Sequence, residues 1–450
     1  MEEKFKKLAK FNFWDIETNN DSTNVAKFGY SRDFYLNKII KYIGNSLIKV
    51  IVGQRRTGKS YLLRQIAFHI IQSGVSPKNI FYLNKEFIEF DEIEDYKDLD
   101  ALIKYYENKV KPNGKIYLFI DEIQNIYQWE KLVNSYSQDF VSNYELFISG
   151  SNSKMLSGEL STLLSGRYVN FEVLPFSFDE YADFSKQEKN KASYIHFLNS
   201  GGLPELFILP DEETKIRYIS TVKDTVLLRD VIQRHSIKEP KLLEDIFIYL
   251  VNTSSNLISI NNITNYFKSK GRKTTYDTIA TYIGYIEDTF MIHKVERYNI
   301  KGKDTIAGNI KYYCNDQAYK NYLFKGLSYG LGYQLENIIY LELRRNGYQI
   351  YVGVLPNKEV DFVAQKGERV IYIQSTYIII DEQTIKREYD ALQAIPNHYE
   401  KFIVSLDDIV FPINKGIKHI QVWNLSDVLL IFLWIANFHQ LKVSDKQFRI

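Results

Sequence analysis

Residues 51–63 read IVGQRRTGKSYLL, and this stretch decides what the amino-terminal half of the chain has to be. Gly53 is followed by four residues and then by Gly58, Lys59 and Ser60, the G-x-x-x-x-G-K-[ST] spacing of a loop that cradles phosphate. Such a loop needs a buried strand leading in and a helix leading out. Residues 47–52, LIKVIV, form the β-branched apolar run of a parallel-sheet strand. Beyond Ser60, Tyr61, Leu62, Leu63, Ile66, Ala67 and Ile70 recur at helical spacing. An ordinary glycine turn is the alternative, and both flanks argue against it.

The chemistry follows from the geometry. Gly53 and Gly58 admit backbone angles that a Cβ would crowd, so the N–H groups of Gln54, Arg55, Arg56 and Thr57 can turn toward phosphate oxygens. The helix start adds partial positive charge, and Lys59 reaches the outer phosphates. Ser60 can ligate Mg2+, and Tyr61 ends the expected nucleotide-contacting set.

A phosphate-bound metal needs a carboxylate nearby. Residues 115–126, KIYLFIDEIQNI, supply an apolar strand that ends in Asp121-Glu122. An aspartate at the carboxyl end of a buried strand can hold Mg2+, and the neighbouring glutamate can orient or deprotonate a water. The alternative, two solvated carboxylates after a core strand, ignores the cradle. A third strand, residues 145–149, runs into Gly150-Ser-Asn-Ser153. Ser151 or Asn152 there can sense the γ-phosphate, and Asn152 has the longer reach. Arg167, after the loop LSGR, is read either as a stabiliser of transition-state charge or as a surface arginine in an ion pair.

GQRRTGKS, FIDEIQ, the segment SGSNSKMLSGELSTLLSGR with LPFSFDEY, and GGLPEL at 201–206 stand in an order that resembles the prokaryotic AAA-type ATPases. These are related to the signal-transducing NTPases and carry a carboxyl-terminal endonuclease-like domain of uncertain function. The resemblance covers nearly the whole chain. It implies a P-loop ATPase domain binding ATP and Mg2+, with Pro204 of the glycine-x-proline element near the adenine. Without it, residues 202–204 would be read as a turn.

The remaining constraints are compositional. The 450 residues suffice for two to four domains. With 57 basic and 55 acidic residues, charge argues neither for nor against nucleic acid. The single cysteine, Cys314, excludes an intramolecular disulfide and fits a cytoplasmic setting. The amino terminus lacks the apolar core of a signal peptide. The longest apolar run, residues 428–438, is too short to span a bilayer and reads as a buried helix near the carboxyl end. No membrane partner is expected, and oligomeric state is not legible.

Residues 186–240 are helical in pattern, with Ile216, Ile219, Val222, Val226 and Leu227 on one face, and read as a lid. Arg229 and Arg234 either reach nucleotide or lie on a solvated face. Residues 241–305 read as a winged helix-turn-helix, with a helix near 261–270, a second from Thr274 or Thr275, and a wing at 291–298. Arg272, Lys273, Lys301 and Lys303 are placed for phosphate contacts. The second helix carries Asp277, Glu287 and Asp288 and no Arg or Lys, a poor major-groove reader. DNA contact and a pure interaction role both stay open.

In residues 306–450, Glu336 on a helix, Asp361 at a hairpin and Gln374 on the next strand follow the order of a restriction-endonuclease-like core. Gln374 stands where an acid is usual, and Thr376 where a lysine is usual. Lys366 and Lys386 are candidates to replace that lysine in space. An active nuclease and a degenerate binding or interaction domain are the alternatives, and the second is favoured. The expected architecture is α/β throughout: residues 1–185 a P-loop NTPase parallel sheet, then the helical lid, the winged helix, and an α/β endonuclease-like domain. Its expected work is Mg2+-dependent ATP hydrolysis, acting on DNA or on a protein partner.

Overall fold

The structure is a computed structural model that describes residues 1–14, 28–139, 143–156, 164, 166–324, 331–379 and 382–430. It divides into two compact units. The first comprises Met1–Val173 with Asp288–Phe290, the second Leu174–Glu287 with Met291–Ile450.

In the first unit five strands form one parallel sheet: β1 (Ile48–Val52), β2 (Ile80–Asn84), β3 (Ile116–Asp121), β4 (Tyr144–Gly150) and β5 (Tyr168–Glu172). Their order is β2-β3-β4-β1-β5. Every residue of β1, β2 and β3 is buried, which explains the unbroken apolar runs: a parallel strand covered on both faces has no polar side to alternate with. The helix Lys59–Gln72 leaves the loop after β1 and buries Leu62, Leu63, Ile66, Ala67 and Ile70, the face read from the sequence. The helices Tyr96–Val110 and Trp129–Ser137 also pack by their apolar sides, the first opened by an Asp95 capping box.

The order of strands matters more than their number. Because β4 lies between β1 and β3, the carboxyl end of β4 separates the phosphate loop from Asp121-Glu122. Pairing registers Val52 with Gly150, and Ile120 with Ile148, so Ser149 stands level with Asp121.

The second unit holds an eight-stranded sheet in the order β13-β12-β11-β10-β9-β7-β8-β6. Its strands are β6 (Leu257–Ile258), β7 (Ile292–Asn299), β8 (Asp304–Cys314), β9 (Gln349–Leu355), β10 (Lys358–Lys366), β11 (Arg369–Ser375), β12 (Glu400–Ser405) and β13 (Ile417–Gln421). Three helices, Pro240–Asn252, Ile260–Ser269 and Tyr276–Glu287, pack with β6, β7 and β8 around one apolar core. The expected lid segment is the helix Glu212–Thr225, continued by a π-helical stretch Val226–Gln233 that contains Arg229.

The expected boundaries differ from these units. One unit begins at Leu174, not after residue 185. The cut between 305 and 306 falls inside β8, whose first half is exposed and whose second half is buried. β7 also pairs in parallel with β9, so β6–β8 and the carboxyl-terminal strands form one hydrogen-bonded sheet. Asp361 lies within β10, where pairing to β9 shifts between Val360 and Val363, and not at a hairpin. Residues 425–430 are helical, and the rest of the apolar run 428–438 lies outside the described residues.

Candidate functional site

The loop between β1 and its helix is built around two glycines. Gly58 caps the helix at φ +93, and Gly53 has φ +149. A Cβ on Gly53 would stand 2.3 Å from the Val173 carbonyl oxygen, because Val173 N–H bonds Val52 O at 2.7 Å. Only glycine fits there. Thr57 Oγ1 bonds the Gln54 carbonyl at 3.0 Å, and both residues are buried. Arg55 is ion-paired with Glu86, whereas Arg56 is exposed with φ +70. Tyr61 points outward, under the Arg64 guanidinium.

Lys59 is buried, and its Nζ donates to the carbonyls of Gly53 at 2.9 Å and Gln54 at 3.0 Å. The same Nζ is 3.6 Å from Glu122 Oε1. Asp121 Oδ2 accepts from Tyr82 Oη at 3.1 Å and Asn84 Nδ2 at 3.0 Å. Ser149 Oγ and the Ser60 side chain also bond Asp121. Burial raises the Asp121 carboxyl, and the adjacent Glu122 charge adds to this; Ser149, Ser60 and Lys59 oppose it without cancelling it. For Glu122, burial pushes upward, but Lys59, Arg55, Gln124 and Ser151 outweigh it and hold the carboxyl below its ordinary range.

Glu122 sits in the left-handed region, φ +53, at the end of β3. Its N–H donates to Ser149 Oγ at 3.1 Å, and its Oε2 takes Gln124 Nε2 at 2.6 Å and Ser151 Oγ at 3.0 Å. Non-glycine residues in this region cost energy, and they persist where surroundings hold them. Between the two candidates at the end of β4, Ser151 is thus the one bonded to Glu122. Asn152 is buried beside it, its Oδ1 engaged by the Lys154 N–H at 2.8 Å.

Arg167 does not belong to this constellation. Its carbonyl accepts the Ile48 N–H, and Tyr168 registers with Ile48, so Arg167 stands at the amino end of the sheet. The cradle is at the other end, a strand length of roughly 16 Å at about 3.3 Å per residue. An exposed arginine there cannot reach its own cradle. Pro204 opens a turn Pro204–Phe207 in the second unit, where the Gly202 N–H bonds Asp316 Oδ2 at 2.9 Å.

Arg32 escaped the sequence reading. It is buried, its Nη1 donates to the Thr57 carbonyl at 2.7 Å, and its N–H bonds Gln65 Oε1 at 3.2 Å. Gln65, on the helix after the cradle, also ties down the carbonyls of Phe28 and Tyr30. A preceding segment therefore braces the loop from behind, and no spacing rule announces it.

The carboxyl-terminal carboxylates do come together, but around a lysine that the sequence did not single out. Lys311 of β8 places Nζ 2.9 Å from Glu336 Oε1 and 2.8 Å from Glu359 Oε1. Tyr313 Oη donates to the same Glu336 oxygen at 2.7 Å. Asp361 Oδ2 takes the N–H and Oγ of Ser375, and the Asp361 N–H bonds Gln374 Oε1 at 3.3 Å. Burial, then the Asp361 charge, raises Glu336 to about 7. Burial would lower Lys311, but Glu336, Asp361 and Glu359 reverse this and hold it above its ordinary value. Lys366 is turned elsewhere, bonding the Asn346 carbonyl at 2.6 Å. Among the described residues no three His, Cys, Asp or Glu side chains are grouped to hold a metal ion.

Residues 45–182 match the family profile described as an AAA domain, and residues 191–329 one described as a domain of unknown function. An uncharacterized protein of Haemophilus influenzae is 35% identical over 387 residues, 85% of this chain and 94% of that one. An uncharacterized protein of Methanocaldococcus jannaschii is 33% identical over 428 residues, 89% and 90% of the two chains. Among solved structures, the Walker-type ATPase of Pyrococcus abyssi aligns with TM-score 0.43 at 16% identity, covering 69% of this chain and 99% of that one. The Aeropyrum pernix ORC1 protein, solved in complex with DNA, aligns with TM-score 0.32 at 11% identity, covering 66% and 94%. With its phosphate loop on β1 and its Asp-Glu pair on β3, this chain belongs to the family of prokaryotic AAA-type P-loop ATPases whose carboxyl-terminal part has no known function.

Proposed function

We propose that the chain is a Mg2+-dependent ATP hydrolase that converts nucleotide turnover into movement of its second unit. The observation that carries this is the convergence, at one end of one sheet, of Lys59, Ser60, Asp121 and Glu122, all tied to one another by hydrogen bond or charge. The backbone N–H groups of Gly53, Gln54, Arg55, Arg56, Thr57 and Gly58 hold the phosphates, and Lys59 the outermost ones. Tyr61, on the first turn of the helix that leaves the loop, completes the nucleotide-contacting set. Ser60 and Asp121 are the donor pair suited to Mg2+: one hydroxyl and one carboxylate, bonded together. Mg2+, when bound, neutralises charge on the phosphates.

Glu122 takes the proton of the attacking water. Its carboxyl is held ionised by Lys59 and Arg55 and aimed by Gln124 and Ser151, as a base requires. Asn152, next to Ser151 and just past the end of β4, senses the γ-phosphate. The decisive measurement is ATP hydrolysis with and without Mg2+, repeated with single- and double-stranded DNA and with Glu122→Gln. Hydrolysis that survives Glu122→Gln unchanged would refute the assignment.

DNA is one candidate partner, through a winged-helix arrangement of 241–305 with Arg272, Lys273, Lys301 and Lys303 on phosphates. A second reading, a nucleotide-switched interaction protein with slow turnover, is favoured by the helix Tyr276–Glu287, which carries no lysine or arginine. The endonuclease-like part is then a fold kept without its chemistry, because Lys311 already engages both Glu336 and Glu359. No helix among the described residues is long and apolar enough to cross a membrane; a cytoplasmic setting is part of the proposal.

A further inference from the structure

The outward face of the helix Tyr276–Glu287 borders a groove of about 580 Å3, whose other wall is the face of β7 and β8. Small residues make it deep: Ala280 and Gly284 on the helix, Ala307 and Gly308 on β8. Ile283 and Ile310 are part of its lining, and both are buried. Two carboxylates stand at the groove, Glu287, which takes the Tyr312 hydroxyl, and Glu296, which pairs with Lys294 at 2.9 Å. With two acids to one lysine, this surface repels a phosphate backbone and suits an apolar segment with a basic end.

The second unit carries such a segment. After β12 the chain forms a loop in which Ile409, Val410 and Ile413 are 69%, 60% and 67% exposed. Its base is fixed: Phe411 packs edge-on against His419, Asn414 and Ile417 exchange backbone hydrogen bonds, and Asp408 pairs with Lys191. Lys415 closes it, bonding only a neutral group, Gln393 Oε1, at 3.1 Å among the contacts described. A loop held so firmly loses little freedom on docking. Three large apolar side chains on it are out of keeping with a purely solvent-facing turn.

We propose that this loop of one copy seats in the groove of a second copy, with Ile409, Val410 and Ile413 over Ala280, Gly284 and Gly308, and Lys415 toward Glu287. Knob and hole are different surfaces of one chain, so the contact is heterologous: two copies can exchange it, or more can close a ring.

Sedimentation velocity of the full chain tests this, with variants that leave the core alone. A Cβ at Gly284 meets nothing within 4 Å, so the side chain of Gly284→Trp starts in open space and occupies the groove. Ile409→Asp with Ile413→Asp removes the knob at exposed positions. The wild type is expected to self-associate and each variant to be monomeric. Mixing the two variants is expected to restore a pair, because one intact knob and one intact groove remain. A monomeric wild type, a variant that assembles like the wild type, or a mixture that stays monomeric would each overturn the proposal.

Discussion

Lys59 Nζ lies 3.6 Å from Glu122 Oε1, with both side chains almost wholly buried. The residue that is to hold phosphate therefore also keeps the glutamate ionised. In the proposed function a single ammonium group thereby couples phosphate binding to water activation, and substitutions at the two ends should separate them.

Lys59→Ala is expected to weaken ATP binding by about 10- to 100-fold, the worth of a buried charge-assisted hydrogen bond. Calorimetric titration with ATP and Mg2+ measures it directly. Unchanged affinity would mean that the loop 53–60 is not where phosphate sits.

Glu122→Gln should bind ATP as the parent does and hydrolyse it about 100- to 10,000-fold more slowly, as loss of a positioned base predicts. Asp121→Asn should instead raise the Mg2+ concentration needed for half-maximal turnover. Steady-state phosphate release across a Mg2+ series distinguishes the two.

Lys311→Met leaves Glu336, Glu359 and Asp361 without their shared cation. Stranding buried charge in this way costs about 3–5 kcal/mol. Urea unfolding should show it, and adding Glu336→Gln should recover part of the loss. Full additivity of the two substitutions would show that the pair does not interact.

Asp316 is raised from 3.8 to about 7 by burial, against the backbone N–H groups of Ala318, Gly202 and Leu203. A carboxyl raised in the folded state favours folding most when protonated. Its contribution is complete below the unfolded value near 3.8 and is lost as pH rises through about 7. This contribution to wild-type stability should thus fall between pH ~4 and ~7, by an amount on the order of a few kcal/mol. In Asp316→Asn the fall should be smaller; an identical fall in both proteins would assign it to other groups.

Plasmid and linear DNA should stay intact with Mg2+ or Mn2+, with or without ATP. Gln374 and Thr376 lack the charges that complete a metal-dependent nuclease, and Lys311 engages Glu336. Metal-dependent cutting abolished by Asp361→Ala would reverse this and make the carboxyl-terminal part an enzyme.

The first unit was legible because its signals are local. The strand, loop and helix around Gly53–Ser60 announce themselves by spacing, and FIDE by an apolar run stopped by acids. Arg32, Gln65 and Ser149 were invisible, since each acts across the sheet or from a preceding segment. Arg167 was misplaced for a related reason: sequence shows that it precedes a strand, not which end of the sheet that strand's start occupies. In the second unit the sequence singled out Glu336 and Asp361, which do lie together, but not Lys311, which stands well upstream on β8. Lys366 was nearer in sequence but is turned to the Asn346 carbonyl, so proximity along the chain was the wrong guide.

β8 has one further consequence. Its residues Ile310 and Lys311 pair with β6, Lys311 pairs with Val295 of β7, and Lys311 reaches Glu336 on the helix Leu331–Arg345 and Glu359 on β10. A chain cut at residue 310 would split β8: the amino-terminal fragment would lose Lys311 and the strand's buried end, and the other would keep Lys311 without the β6 and β7 partners that fix it. Neither fragment is then a fair sample of the parent, and a loss of binding on such a deletion would report misfolding as readily as a missing interface. The same continuity bars recombination at this point: the two halves of the sheet can be inherited together or redesigned together, but not traded separately between relatives.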